Sequence, residues 1–467
     1  MAAREQKSKR MSAQLVEDEE YQLRHERAAG IDVAKADGMV CLRLPPDEGK
    51  KRRTSRTWKV TATVPDIEAL AQELKAAGTE LVSMESTSDY WRVWFMVLEA
   101  AGLAVQLVNS SQARNLPGRP KTDRADAAWI ARLTEMGLLT GSLVPPAEIR
   151  DLRVYTRDLT DLAGDRARNW NRLEKLLEDA LCKLTSVASK LAGHASCRAM
   201  IEAMIAGQRD PRKLADLAQG RMRAKIPDLV KAFTGMRFEA CHAARAAGYL
   251  RVIDSLDNEI ALLEDQARAH IATVAAAWGT DADGTTGPGA GRRQDAAALP
   301  AVQRLAEIPG VSEGLATGLI AELGLDMSRF PTPGHLVSWA GMAPVAAQSG
   351  PRHGRGKKGH GNTYARRYAT QAGNGAAGTA TFLGERHRRL RSRPGGGGWK
   401  KASCAVGRSI LVITWHLLSD PAARYADLGP GHYARHTDRS RKARGHKRQL
   451  EALGYDVIIT PRTEQAA

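Results

Sequence analysis

Residues 28–137 spell three strands, then helix, strand, helix, strand, helix, and no other feature of the chain limits its fold as much. RAAGIDVAK (27–35) ends a short apolar run, and GMVCLRL (38–44) follows two residues later as a hairpin partner does. A basic loop, DEGKKRRTSRT, leads to the alternating WKVTATV (58–64). PDIEALAQELKAAG (65–78) has Pro at its first helical position and Gly at its end. ELVSMES (80–86) has the apolar content of a buried strand, DYWRVWFMVLEAAG (89–102) is a second helix, and AVQLVNS (104–110) is a fifth strand. DRADAAWIARLTEMG (123–137) closes the series as a third helix. Three meandering strands feeding βα units predict a mixed sheet with helices on its faces.

Beyond residue 146 the pattern turns helical. Leu152, Tyr155, Leu159 and Leu162 make one stripe, which Leu173, Leu177, Leu181 and Leu184 continue. Leu250, Ile253, Ile260, Leu263, Ala267 and Ile271 make another. Two such stripes fit an antiparallel coiled coil that joins two protomers through Leu173 and Leu177, or a plain helical bundle. GTDADGTTGPGAGRRQDAAA (279–298) has no apolar period and reads as a flexible linker. VQRLAEIPGVSEGLATGLIAELG then reads as helix, Pro-Gly turn and helix, a helix-hairpin-helix-like motif whose turn can offer N–H groups to a phosphate. The expected layout is a flexible arm at 1–26, an α/β domain at 27–145, a helical segment at 146–278, a Gly-rich linker at 279–298, a mainly helical domain at 299–420 and a basic tail at 421–467.

Charge narrows the function. Lys and Arg number 69 against 52 Asp and Glu, a net of +17, which favours a polyanion as partner. Five scattered cysteines form no CxxC pair, so neither a zinc ribbon nor a disulfide framework is expected. The N-terminal segment lacks the apolar core of a signal peptide, and no apolar run approaches the roughly 20 residues of a membrane span.

Four acids occupy particular places: Asp32 at the end of the first strand, Glu85 at the end of the fourth, and Asp123 and Asp126 at the start of a helix. Three apart on a helix, the last two share a face. Each has an ordinary explanation by itself: Asp32 suits a strand-end turn, and Asp123 suits an N-cap. Together, four converging carboxylates would repel unless a divalent cation neutralised them. Hard oxygen donors in an incomplete cage suit Mg²⁺, with Mn²⁺ as its substitute.

GID on the first strand, Glu on the fourth and TDRAD opening a later helix resemble the RuvC-like, ribonuclease-H-type domain. More narrowly they resemble the DEDD transposases of insertion sequence family 110, recombinases that work with a bridge RNA. The likeness continues through LAEIPGVSEGLATGLIAELG, RFPTPGHLVSWAGMAP and QSGPRHGRGKKGHGNTYARRY. In that family a serine followed by Gly, after Gly-x-x-Pro, is a nucleophile that joins DNA phosphate covalently. Here the matching residue is Ser349, after Gly341 and Pro344.

The resemblance implies an α/β plus α architecture: a RuvC-like domain, a helical coiled-coil segment and a helical C-terminal domain. It implies catalysis by Asp32, Glu85, Asp123, Asp126 and Ser349, with the four acids as metal ligands. It also implies DNA partners at element ends and target, a noncoding guide RNA, a dimer or tetramer, and a cytoplasmic, nucleoid-associated protein free of the membrane. Arg352, Arg355, Lys357, Lys358, Arg366 and Arg367 lie in an acid-free run (351–367) suited to phosphate contacts, as does a second acid-free run at 386–401. Two competing classes remain: a junction endonuclease that uses metal-activated water, and a nucleic-acid-binding protein without catalysis.

Overall fold

In a computed structural model, the structure describes residues 23–49, 52–85, 88–109, 122–292, 296–344, 348–349, 352–353, 361–393, 398–435 and 439–460. The chain forms two compact units, Met1–Val144 and Pro145–Ala467.

The first unit is built on a five-stranded sheet of order β3-β2-β1-β4-β5. β1 (Ala28–Val33), β2 (Asp37–Leu44) and β3 (Thr54–Thr61) form an antiparallel meander. β4 (Leu81–Glu85) pairs parallel with β1, and β5 (Val105–Val108) pairs parallel with β4. This is the mixed sheet that the pattern predicts. The parallel pairs need crossovers, which α1 (Val64–Ala76) and α2 (Trp91–Ala100) supply. Alternation assigns the faces. Ala29, Ile31, Val33, Val82 and Met84 point to one side, where they bury Ile67, Leu70 and Leu74 of α1 and Trp94 and Leu98 of α2. The other side of β1 and β4 is covered by α3 (Asp123–Glu135).

β3 begins earlier than the sequence predicts. Thr54, Ser55 and Arg56 pair with Leu44, Arg43 and Leu42, although RRTSR reads as a loop. As an edge strand with no fully buried residue, it needs no apolar alternation.

In the second unit, α4 (Ala147–Asp179) and α9 (Ala240–Thr273) run antiparallel: His270 meets the Glu148 carbonyl at 2.8 Å, and Arg166 pairs with Asp257 at 2.6 Å. Between them in sequence come α5 (Leu184–Val187), α6 (Ala195–Ile205), α7 (Pro211–Ala215) and α8 (Ile226–Phe233). These close over the far end of the pair. Leu173 and Leu177 are buried there with Met200, Leu214, Phe233 and Ile253 of the same chain. A seam between protomers through these two leucines is therefore corrected: they are interior residues. Leu181 does not extend the stripe, because α4 stops at Asp179 and Leu181 is exposed with φ at +59°.

The C-terminal part adds α10 (Ala301–Ala306), α11 (Glu313–Leu323), α12 (Pro333–Trp339), α13 (Thr363–Ala376), α14 (Phe382–Arg391) and α15 (Gly398–Ser419), then α16 (His432–Arg435) and α17 (Arg439–Glu451). α13 and α15 approach closely because Gly373 faces the Ser403 carbonyl and Gly407 faces the Ala369 carbonyl. Gly310, in the turn between α10 and α11, has φ at +90°, and a Cβ there would overlap Ala372 and Ala376 of α13. Internal packing thus accounts for the Pro-Gly turn. Within 279–298, Thr280 exchanges backbone hydrogen bonds with Ala298 at 2.7 and 2.9 Å, so the described part of this Gly-rich run, 279–292 and 296–298, is held within the second unit. Helix α15 is long and apolar enough to cross a membrane by length and composition, where apolar runs read from the sequence suggest no such segment. It is a core helix here: Val406, Ile410 and Leu411 are fully buried.

Candidate active site

Gly30 fixes where α3 lies. A Cβ at residue 30 would sit 2.6 Å from the Ala127 carbonyl oxygen and would overlap the Ala131 amide. Helix α3 therefore crosses β1 in backbone contact, which only glycine allows. The helix direction follows from its far end. Glu135 accepts from Arg43 at 2.7 and 2.9 Å, and Arg43 stands opposite Ala28, the first residue of β1. A buried hydroxyl pair, Thr134 and Ser83 at 2.7 Å, ties the same helix to β4. Helix α3 thus runs against β1, with its N-terminal turn at the strand's C-terminal end.

That end carries the acids. Asp32 and Glu85 follow Gly30 and Ser83 by two residues, so they share the face that α3 covers. The register pairs Ile31 with Met84, which sets Asp32 and Glu85 level on neighbouring strands. Asp123 and Asp126 lie in the first turn of α3. Glu85 is buried, Asp32 and Asp126 are half-buried, and Asp123 is exposed. The N-cap of α3 is Thr122, whose hydroxyl accepts from the Ala125 amide at 3.3 Å. Asp123 is the first helical residue, so capping does not explain it. Among the described residues, no three His, Cys, Asp or Glu side chains gather closely enough to form a metal-binding group. The four carboxylates are hard oxygen donors at one end of the sheet, but the convergence on a single point expected from the sequence is not seen among the described residues.

Ser349 belongs to the second unit. Its backbone forms β6 (Gln348–Ser349), antiparallel to β7 (Arg352–His353), with Ser349 opposite Arg352. Arg355, Lys357 and Lys358 lie outside the described residues. Arg366 and Arg367 are the fourth and fifth residues of α13, half-buried and exposed respectively.

The segment bearing Ser349 leaves and returns through a tight neck, which the sequence reading missed. Gly361 rests on the backbone of Ala340 and Gly341, and the Asn362 amide donates to the Trp339 carbonyl at 3.2 Å. The Asn362 side chain accepts from the Ala365 amide at 2.9 Å, capping α13, and donates to Glu322 at 2.6 Å. Glu322 is fully buried, and Arg157 donates to its two oxygens at 2.8 and 3.0 Å. One turn away on α4, Thr160 meets the Tyr368 hydroxyl at 2.8 Å, and that hydroxyl donates to the Thr156 carbonyl at 2.7 Å. The only local hint in the sequence is Arg153 and Arg157, four apart on one helix face.

The chain thus contains an α/β unit with acids at its strand ends and a helical unit that carries a serine hairpin. A family model for the IS110 DEDD transposase matches residues 29–181, and one described as transposase, IS116/IS110/IS902 family, matches residues 302–381. The chain belongs to the IS110 family of transposases. It is 27% identical over 302 residues to the IS110 insertion element uncharacterized 43.6 kDa protein of Streptomyces coelicolor, covering 61% of this chain and 69% of that one. It is 26% identical over 243 residues to the IS116 insertion element uncharacterized 44.8 kDa protein of Streptomyces clavuligerus, covering 51% of this chain and 56% of that one. Among solved structures, a Thermus thermophilus RuvC structure aligns at 16% identity with a TM-score of 0.20, covering 25% of this chain and 99% of that one. T. thermophilus RuvC in complex with a Holliday junction substrate aligns at 15% identity and the same TM-score, covering 25% of this chain and all of that one.

Proposed function

We propose that this transposase excises and integrates its insertion sequence by serine-mediated strand exchange, with Asp32, Glu85, Asp123 and Asp126 as the acidic set and Ser349 as the nucleophile. The observation that carries the reading is the common placement of the four acids: two level strand ends and one helix turn, on one face, at one end of the sheet. A divalent cation such as Mg²⁺ or Mn²⁺, held by these carboxylates, would supply Lewis-acid stabilisation of charge on the scissile phosphate. The Ser349 hydroxyl loses its proton as its oxygen bonds to phosphorus. The bond from phosphorus to one strand breaks, and that strand leaves as a hydroxyl after taking up a proton. The phosphodiester energy is kept in the phosphoserine. Attack by the hydroxyl of a second strand restores a phosphodiester and frees Ser349. Arg352, Arg355, Lys357, Lys358, Arg366 and Arg367 neutralise backbone phosphates around the serine. A noncoding guide RNA selects the sites, and an oligomer holds the two duplexes.

Denaturing electrophoresis with labelled element-junction DNA tests this. A covalent protein–DNA band that needs divalent metal and disappears in Ser349→Ala, Asp123→Asn and Asp126→Asn supports the assignment. Cleaved DNA with free ends, no adduct and unchanged cutting by Ser349→Ala would move the protein to the hydrolytic junction nucleases.

A further inference from the structure

Trp399 is the first-turn residue of α15 and is 46% exposed, unusual for an indole. It is held by three neighbours, one of them the Arg391 guanidinium over its ring. Its ring N–H donates to Asn374 Oδ1 at 2.9 Å. The buried His387 ring packs edge-on at 4.6 Å, and the Arg391 guanidinium lies 5.2 Å from the indole centre. His387 is itself fixed by Ser403 at 3.0 Å. The indole is therefore a rigid plate.

Its surroundings are cationic. Arg388, Arg389, Arg391 and Arg393 on or just after α14 are exposed, as are Lys400 and Lys401 beside the indole. The stretch 386–401 contains no acid. The first amides of α15 add the positive end of a 22-residue helix. Cations alone would suit any polyanion. A fixed, half-exposed indole among them adds a flat apolar face that a duplex, with its bases stacked inward, cannot use.

We propose that Trp399 and the cations of α14 and the α15 N-terminus form a docking surface for an unpaired DNA strand, with one base stacked on the indole and its phosphates on Arg391, Arg393, Lys400 and Lys401. The surface rests on the reading of this protein as a DNA recombinase only for the choice of DNA, since strand exchange must expose unpaired nucleotides.

The test is binding, not cleavage, so it fails or succeeds independently of Ser349. Fluorescence anisotropy of a labelled thymidine homopolymer should show at least about fivefold weaker binding to full-length Trp399→Ala. Trp399→Phe, which keeps a stacking ring and the fold, should bind within about twofold of wild type. A duplex of equal phosphate count should bind all three alike. Equal losses for single strand and duplex would overturn the proposal, as would no loss for either. A loss confined to a uridine homopolymer would assign the surface to RNA instead. Unchanged binding with loss of self-association in light scattering would make Trp399 a protein contact.

Discussion

Arg157 and Glu322 meet inside the second unit through two parallel hydrogen bonds, and Glu322 has no solvent exposure. The pair links α4 to α11, and Asn362 extends it to α13 at the foot of the Ser349 segment. Glu322→Ala would take away the carboxylate that the Arg157 guanidinium and the Asn362 amide share, while Arg153 keeps its bonds to the Ala321 and Glu322 carbonyls. Breaking a buried pair from one side costs about 3–5 kcal/mol. Urea unfolding should show that loss for Glu322→Ala and a smaller one for Glu322→Gln, which keeps an acceptor for Arg157.

Gly30→Ala should act at a distance from its own position. The added methyl must displace α3, and overpacking of this kind costs about 1–3 kcal/mol. The displacement moves the turn that carries Asp123 and Asp126. Cleavage of junction DNA should therefore fall at temperatures where circular dichroism still shows a folded protein. Full cleavage by a stably folded Gly30→Ala protein would show that the helix position is immaterial to the acids.

His387 gives a pH dependence with a definite sign. Burial, reinforced by the nearby Arg391 and Arg388, pushes its pKa below the usual imidazole range. The unfolded chain then binds the proton first as pH falls. Stability contributed by neutral His387 is complete above the unfolded value, about 6.5, and is lost as pH drops from there toward the lower folded value. Melting temperatures of wild type and His387→Gln should differ more at neutral pH than at pH values of about 5. A difference that widens on acidification would contradict the assignment.

Leu173→Ala should destabilise the fold by about 2–5 kcal/mol, as expected for a fully buried leucine. If the loss appeared instead as dissociation of an assembly with unchanged unfolding, the leucine would be an interface residue after all.

The sheet and its crossovers are legible because strand and helix periods differ, whereas Asp32, Glu85, Asp123 and Asp126, each ordinary by itself, are picked out as a set only through the family resemblance. Other features depend on partners far along the chain. Thr156 and Thr160 face inward on α4, while Leu159 is only half-buried: the Thr156 hydroxyl donates to the Arg153 carbonyl, and the Tyr368 hydroxyl meets the Thr160 hydroxyl and the Thr156 carbonyl. No local pattern announces that. Glu322 reads as one more helix acid until Arg157 and Asn362 are seen on it. The start of β3 is hidden for the opposite reason, since an edge strand with two wet faces carries no apolar rhythm.

The contact of Gly361 with Ala340 and Gly341 makes the intervening stretch an exchangeable cassette. Two backbones that touch at a neck accept any insert that leaves and returns at that spacing. Doubling the length of a flexible loop costs only about 0.6 kcal/mol in closure entropy. The Ser349 hairpin can therefore diverge in length and charge among descendants of this gene while the helices beneath it keep their packing, provided residues 341 and 361 stay without side chains.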